Sequence, residues 1–119
     1  MGEQGTYTGG CHCGRVRFGV RMQLDRVVAC NCSICSKTGT LLAFVSADQF
    51  TLLSGEDSLA DYQFNQRKIH HLFCKSCGIR SFAHGADEKG KVMYAVNVRA
   101  LDDVDPTSFP ADFFDGKSL

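Results

Sequence analysis

Seven cysteines in three tight groups constrain this chain more than any other feature of its sequence. Cys11 and Cys13 form C-x-C, Cys30, Cys32 and Cys35 form C-x-C-x-x-C, and Cys74 and Cys77 form C-x-x-C. A secreted disulfide framework normally uses an even count and follows an export signal. Here the count is odd, and the N-terminus lacks the basic-then-apolar pattern of a leader. A cytoplasmic, reducing location is therefore expected, and clustered thiols in such a compartment bind metal or do redox chemistry. Zinc is usually four-coordinate and tetrahedral, so seven thiols divide naturally as four plus three, giving an expectation of two zinc ions per chain.

Glycine placement suggests the division. Gly14 follows Cys13 and Gly78 follows Cys77, giving C-H-C-G and C-K-S-C-G. Glycine there permits a left-handed turn that aims backbone N–H groups at sulfur. Two such knuckles, each at the tip of a β-hairpin, can meet around one metal. Cys11, Cys13, Cys74 and Cys77 are thus assigned to a structural zinc that ties the start of the chain to its later sheet.

Cys30, Cys32 and Cys35 are followed by Ser36, Lys37, Thr38 and Gly39 rather than directly by glycine. Three thiolates can grip zinc and leave its fourth position open, the arrangement of a catalytic site. Such a zinc, carrying a net charge of about −1, is a weak acid toward water but can hold an incoming thiol as the nucleophilic thiolate. Two other readings stand beside it. His70, His71 or His84 would close the site as a fourth ligand, or the trio would act as a redox dithiol, although the βαβ context of a thioredoxin-like motif is missing. His12, between two cysteines, is expected to point away from their metal. Lys37, Arg15, Arg17 and Arg99 are candidate partners for substrate carboxylates, and Asn97, Thr38 and Tyr62 candidate pocket residues.

The rest of the chain reads as β structure in a single domain, residues 1–119, without repeat or linker. Val16, Phe18 and Val20 share one face of an alternating stretch, as do Ala60, Tyr62 and Phe64, and Val92, Tyr94, Val96 and Val98 form the apolar face of a strand whose other face carries Met93, Ala95, Asn97 and Arg99. Leu41–Val45 is an apolar run fit for a buried strand, Phe50–Leu53 ends in the turn-forming Ser54–Asp57, and Lys68–Cys74 and Arg80–His84 flank the second cysteine pair. Helix is expected only for a turn or two after Cys32. Lysine plus arginine balances aspartate plus glutamate at 13 each, with no basic arm, which argues against a nucleic-acid partner. No apolar run reaches the length of a membrane span.

Together, G-G-C-H-C-G-R-V-R-F, C-N-C-S-I-C-S-K-T-G, F-C-K-S-C-G, A-V-N-V-R-A-L-D-D and the closing F-F-D-G-K-S resemble the glutathione-dependent formaldehyde-activating enzymes, a family that includes the centromere protein V group. The resemblance runs from about Gly9 to Lys117. It implies an Mss4-like fold, mainly β, with antiparallel sheets coiled around a four-cysteine structural zinc. It also implies that Cys30, Cys32 and Cys35 hold a catalytic zinc, the same partition that the glycines suggest. The implied activity is that of a carbon–sulfur lyase, an S-(hydroxymethyl)glutathione synthase-like detoxification enzyme. Its partners would be a small thiol such as glutathione and a small aldehyde such as formaldehyde. The alternative is a non-catalytic zinc-stabilised scaffold that binds a protein partner; the absence of a basic tail disfavours a chromatin role.

Overall fold

The computed structural model describes residues 4–64 and 68–118. Phe18, Val20 and Met22 lie on one face of strand β2 (Arg17–Gln23) and are almost fully buried, as the alternation requires. Strand β1 (Gln4–Gly10) pairs with β2 in unbroken antiparallel register from Gln4↔Gln23 to Gly10↔Arg17. Its Gly- and Thr-rich sequence shows no alternation, so it was not legible as a strand. Close packing explains the composition: a Cβ on Gly9 would lie 2.5 Å from the Ala100 carbonyl oxygen, and one on Gly10 2.1 Å from that of Val16. Only glycine lets the hairpin close here.

Strand β3 (Val27–Cys30) leads into the cysteine trio and a four-residue helix α1 (Cys35–Thr38). Gly39 ends that helix in the left-handed conformation, φ 70°, its N–H bonded to the Cys35 carbonyl. There follow β4 (Leu42–Ser46), β5 (Phe50–Ser54), β6 (Leu59–Tyr62), β7 (Ile69–Cys74), β8 (Phe82–Ala86), β9 (Val92–Asn97) and β10 (Ala111–Phe114). β1, β2 and β5 form one sheet, and the other runs β10-β3-β4-β9-β8-β7-β6. The protein is mainly β and its pairings are antiparallel, except that β10 lies parallel to β3 with Phe114 opposite Cys30.

Aromatic rings join the sheets. Phe50 of β5 stacks on Phe18 at 5.4 Å and on Tyr94 of β9 at 4.2 Å, and Phe82 of β8 packs against all three. Val27, Val45, Val96, Val98 and Leu101 complete the core. Each such side chain contributes roughly 1.5–3 kcal/mol when fully buried.

Three expectations need correction. The 60–64 alternation ends at Tyr62, and Phe64 leaves the strand to stack on His71. In the Leu41–Val45 run only Val45 is buried, while Phe44 is 54% exposed. An apolar run suggests burial on both faces, but one face of β4 borders a cavity instead. Val92 is also exposed, at the outer end of β9.

Candidate metal centre and cavity

Cys11 and Cys13 sit in the β1–β2 turn, Cys74 ends β7, and Cys77 lies in the turn between the paired strands β7 and β8. Each turn has a glycine in the left-handed conformation just after its second cysteine. Gly14 (φ 85°) donates to the Cys11 carbonyl and Gly78 (φ 81°) to that of Cys74. Sulfur atoms receive backbone N–H groups as well, Val16 to Cys11 at 3.3 Å and Ser76 to Cys74 at 3.4 Å. The four ligand atoms lie within 4.8 Å of one another, with Cys11–Cys13 at 3.5 Å and Cys13–Cys74 at 3.7 Å.

This crowding polarises the thiols. N–H groups of Cys13 and Ile79 bring Cys77 down to about 6. At Cys13 the Arg15 N–H favours thiolate, but burial and the three neighbouring thiols hold the group above its usual value. Four sulfurs at this spacing, with N–H donors favouring their ionised form, suit a tetrahedral dication such as zinc. His12 is exposed, as expected for a residue turned from the cluster.

The second group is built locally. Cys30 ends β3, Cys32 follows in a turn and Cys35 opens α1, with their sulfurs within the same 4.8 Å. The N–H of Cys32 points at the Cys30 sulfur at 3.4 Å and that of Cys35 at the Cys32 sulfur at 3.5 Å. Burial, then the neighbouring Cys32, pushes Cys35 up to about 12, and a cation bound at the trio would favour its thiolate. These thiols fit a soft metal with three protein ligands.

Among the described residues no histidine joins the trio at that spacing. His70 instead pairs with Asp61 at 2.6 Å and stacks on His84 at 4.7 Å. The trio also lies on the connection between β3 and β4, which pair antiparallel, and this is not a βαβ dithiol setting.

The C-terminal segment packs over the trio, a feature that sequence reasoning missed. The Asn31 N–H donates to the Phe114 carbonyl at 3.2 Å. Its side chain donates to Asp115 at 3.0 Å and accepts from the Lys117 N–H at 2.9 Å. This clasp lays Gly116 against the sulfurs: a Cβ there would be 2.7 Å from Cys30 Sγ and 3.1 Å from Cys32 Cβ. F-F-D-G-K-S stood out in the sequence, but nothing in it announced a partner more than 80 residues away.

The trio opens into a cavity of about 490 Å³. Phe114 and Gly116 line it beside the sulfurs, and Phe44, Ile69, Leu72 and Ala95 form much of the opposite wall. Thr38 and Asn97 line it as anticipated, whereas Tyr62 does not. Asn97 is a structural fixture there, donating to the Arg80 carbonyl at 2.8 Å and accepting from the Arg99 N–H at 3.1 Å. None of Lys37, Arg15, Arg17 and Arg99 lines the cavity. Lys37 is exposed, and Arg17 pairs with Asp102 at the other sheet. The cations of the lining are Lys68 and Arg80. Burial, then the Arg80 charge, lowers His71, so this lining residue is neutral at pH 7.

A family model described as glutathione-dependent formaldehyde-activating enzyme matches residues 6–115. The chain belongs to this family. A crystal structure of a Rhodobacter sphaeroides protein, a Northeast Structural Genomics target, resembles this family member with a TM-score of 0.76. The two are 30% identical, over 88% of this chain and 99% of that one. The matched range, residues 6–115, includes both cysteine groups and strand β10.

Proposed function

We propose that this protein is a carbon–sulfur lyase of the family, joining a small thiol, glutathione or a similar molecule, to formaldehyde or another small aldehyde. One observation carries the reading: three thiols at ligand spacing face a cavity, and no fourth side chain closes the group among the described residues. The other four cysteines hold a structural zinc, making two zinc ions per chain. Zinc at the trio supplies an exchangeable soft position where a thiol binds as thiolate at neutral pH. In the overall reaction a C–S bond forms, the carbonyl π bond breaks, and the thiol proton ends on the hydroxymethyl oxygen. The chain's own contribution is to orient: the apolar wall excludes water and the lining cations hold an anionic group. Positioning both reactants can lower the barrier by several kcal/mol.

A non-catalytic scaffold has no use for a cavity at an open thiol trio. The deciding experiment is carbon-13 exchange NMR of formaldehyde with glutathione. The protein is expected to speed formation of the hydroxymethyl thioether at least about tenfold over the spontaneous rate, a barrier reduction of about 1.4 kcal/mol or more. Cys35→Ala is expected to abolish that acceleration while leaving the protein folded. Unchanged acceleration in Cys35→Ala would exclude the trio as the catalytic centre.

A further inference from the structure

The fixed charges of the cavity lining are all of one sign. Lys68 and Arg80 line it, and no carboxylate does among the described residues. Arg80 is set into the wall: its guanidinium lies 5.2 Å from the centroid of the Phe73 ring, and its Nη1 is shut off from solvent. It adds positive field to the cavity. Lys68 is the cation able to move, exposed just before β7 and with no ion pair or hydrogen bond among the described residues.

Strand register places Lys68 at the end of the cavity away from the cysteines. Phe44 of β4 pairs with Ala95 of β9, Ala95 with Ala83 of β8, and Ala83 with His71 of β7. All four line the cavity and form a row across its wall. Cys30 stands on β3, one strand before Phe44, and Lys68 three residues before His71. Four strand spacings from β3 to β7 make about 19 Å along the sheet, and less across the cavity it curves around. A cysteinyl-glycyl segment reaches about 7 Å, and the flexible stem of a lysine covers much of the rest. The two ends of glutathione are unlike. Its glycyl end carries a carboxylate alone, whereas its γ-glutamyl end carries a carboxylate and an ammonium and has no net charge. A lining of cations attracts the glycyl end and gives the ammonium no partner.

We propose that Lys68 is a specificity-determining residue that recognises glutathione by its glycyl carboxylate. The cysteinyl-glycyl arm lies along the row from Phe44 to His71, its carboxylate on the Lys68 ammonium, and the γ-glutamyl end turns to solvent. This deepens the function proposed above and rests on it for the place of the sulfur, at the trio.

Calorimetric titration of the zinc-loaded full chain tests this with three probes: glutathione, its analogue with the glycyl carboxylate as an amide, and its analogue with the γ-glutamyl carboxylate as an amide. The glycyl amide is expected to bind about fivefold more weakly than glutathione, the upper range for an ion pair at an exposed lysine, and the γ-glutamyl amide less than about twofold. Lys68→Ala is expected to weaken glutathione about fivefold and the glycyl amide less than about twofold, since the partner is already gone. Lys68→Glu is expected to weaken glutathione at least about tenfold, and Lys68→Arg to bind it like the parent. Equal weakening of the two amides, or Lys68→Ala weakening the glycyl amide as much as glutathione, would overturn the proposal. Cys35→Ala separates it from the reading beneath it. Unchanged glutathione affinity in Cys35→Ala, with the Lys68 dependence intact, would support the carboxylate site and refute the role of the trio. Weakening by Cys35→Ala with none by Lys68→Ala would overturn the carboxylate site and leave the trio in place.

Discussion

Replacing Cys77 with alanine is expected to leave the chain without a cooperative thermal transition, even in excess zinc, whereas Cys35→Ala keeps one. The first substitution removes a sulfur from the cluster that joins the β1–β2 turn to the β7–β8 turn, where Cys13 and Cys74 are 61 residues apart. Each turn comes from a different sheet, so the cluster fixes the sheets relative to each other. A structural zinc of this kind supplies about 10–16 kcal/mol of apparent binding free energy. That is comparable to the whole stability of an ordinary domain, about 5–15 kcal/mol. Cys35 belongs to a group spanning only residues 30–35, a segment already held by backbone bonds such as Ser36 N–H to the Cys32 carbonyl at 2.9 Å. Circular dichroism melts of both variants distinguish the roles; equal destabilisation would contradict the division into structural and open sites.

Gly116→Val should strike the trio without unfolding the protein. The added Cβ would overlap Cys30 Sγ, and backbone retreat is resisted on both sides. Phe114 is paired with Cys30 across β10 and β3, and the Lys117 N–H is held by Asn31. Overpacking of this sort costs about 1–3 kcal/mol. Taken from the metal-binding geometry, that is a loss of zinc affinity at the trio of about fivefold to more than a hundredfold. Competition with a chromophoric chelator reads this directly, and the four-thiol site in the same protein serves as the internal reference. Lys117→Ala, which keeps the backbone donor, is expected to bind zinc like the parent. Unaltered zinc affinity in Gly116→Val would show that the clasp does not shape the trio.

The cysteine partition and several strands were legible because their signals are local. A glycine after the second cysteine of each pair marks a left-handed turn, and Gly14 and Gly78 adopt it at φ 85° and 81°. Alternation exposed β2 because the residues it placed on one face, Val16, Phe18 and Val20, are all buried. β1 escaped because close approach to Ala100 and Val16 selects glycine, the residue that erases alternation. β3 and β10 are four residues each, too short for a period to show, and their pairing is parallel and distant in sequence. The carboxylate partners were misplaced for a related reason. Lys37 is next to the trio in sequence but is exposed outside the cavity lining, whereas Arg80 lines the cavity from beyond the second cysteine pair. Register across sheets, not proximity along the chain, decides which side chains meet.

The central claim is that the trio holds zinc with one position free for a thiol, and X-ray absorption at the zinc edge tests it most directly. In protein loaded with two zinc ions and freed of small thiols, the seven cysteine sulfurs are shared between the two metals. Adding glutathione at saturating concentration is expected to raise the total by one sulfur, with a lighter nitrogen or oxygen ligand lost, and Cys35→Ala is expected to abolish the change. An unchanged sulfur count on addition of glutathione, or a single zinc bound by four sulfurs with none at the trio, would contradict the account.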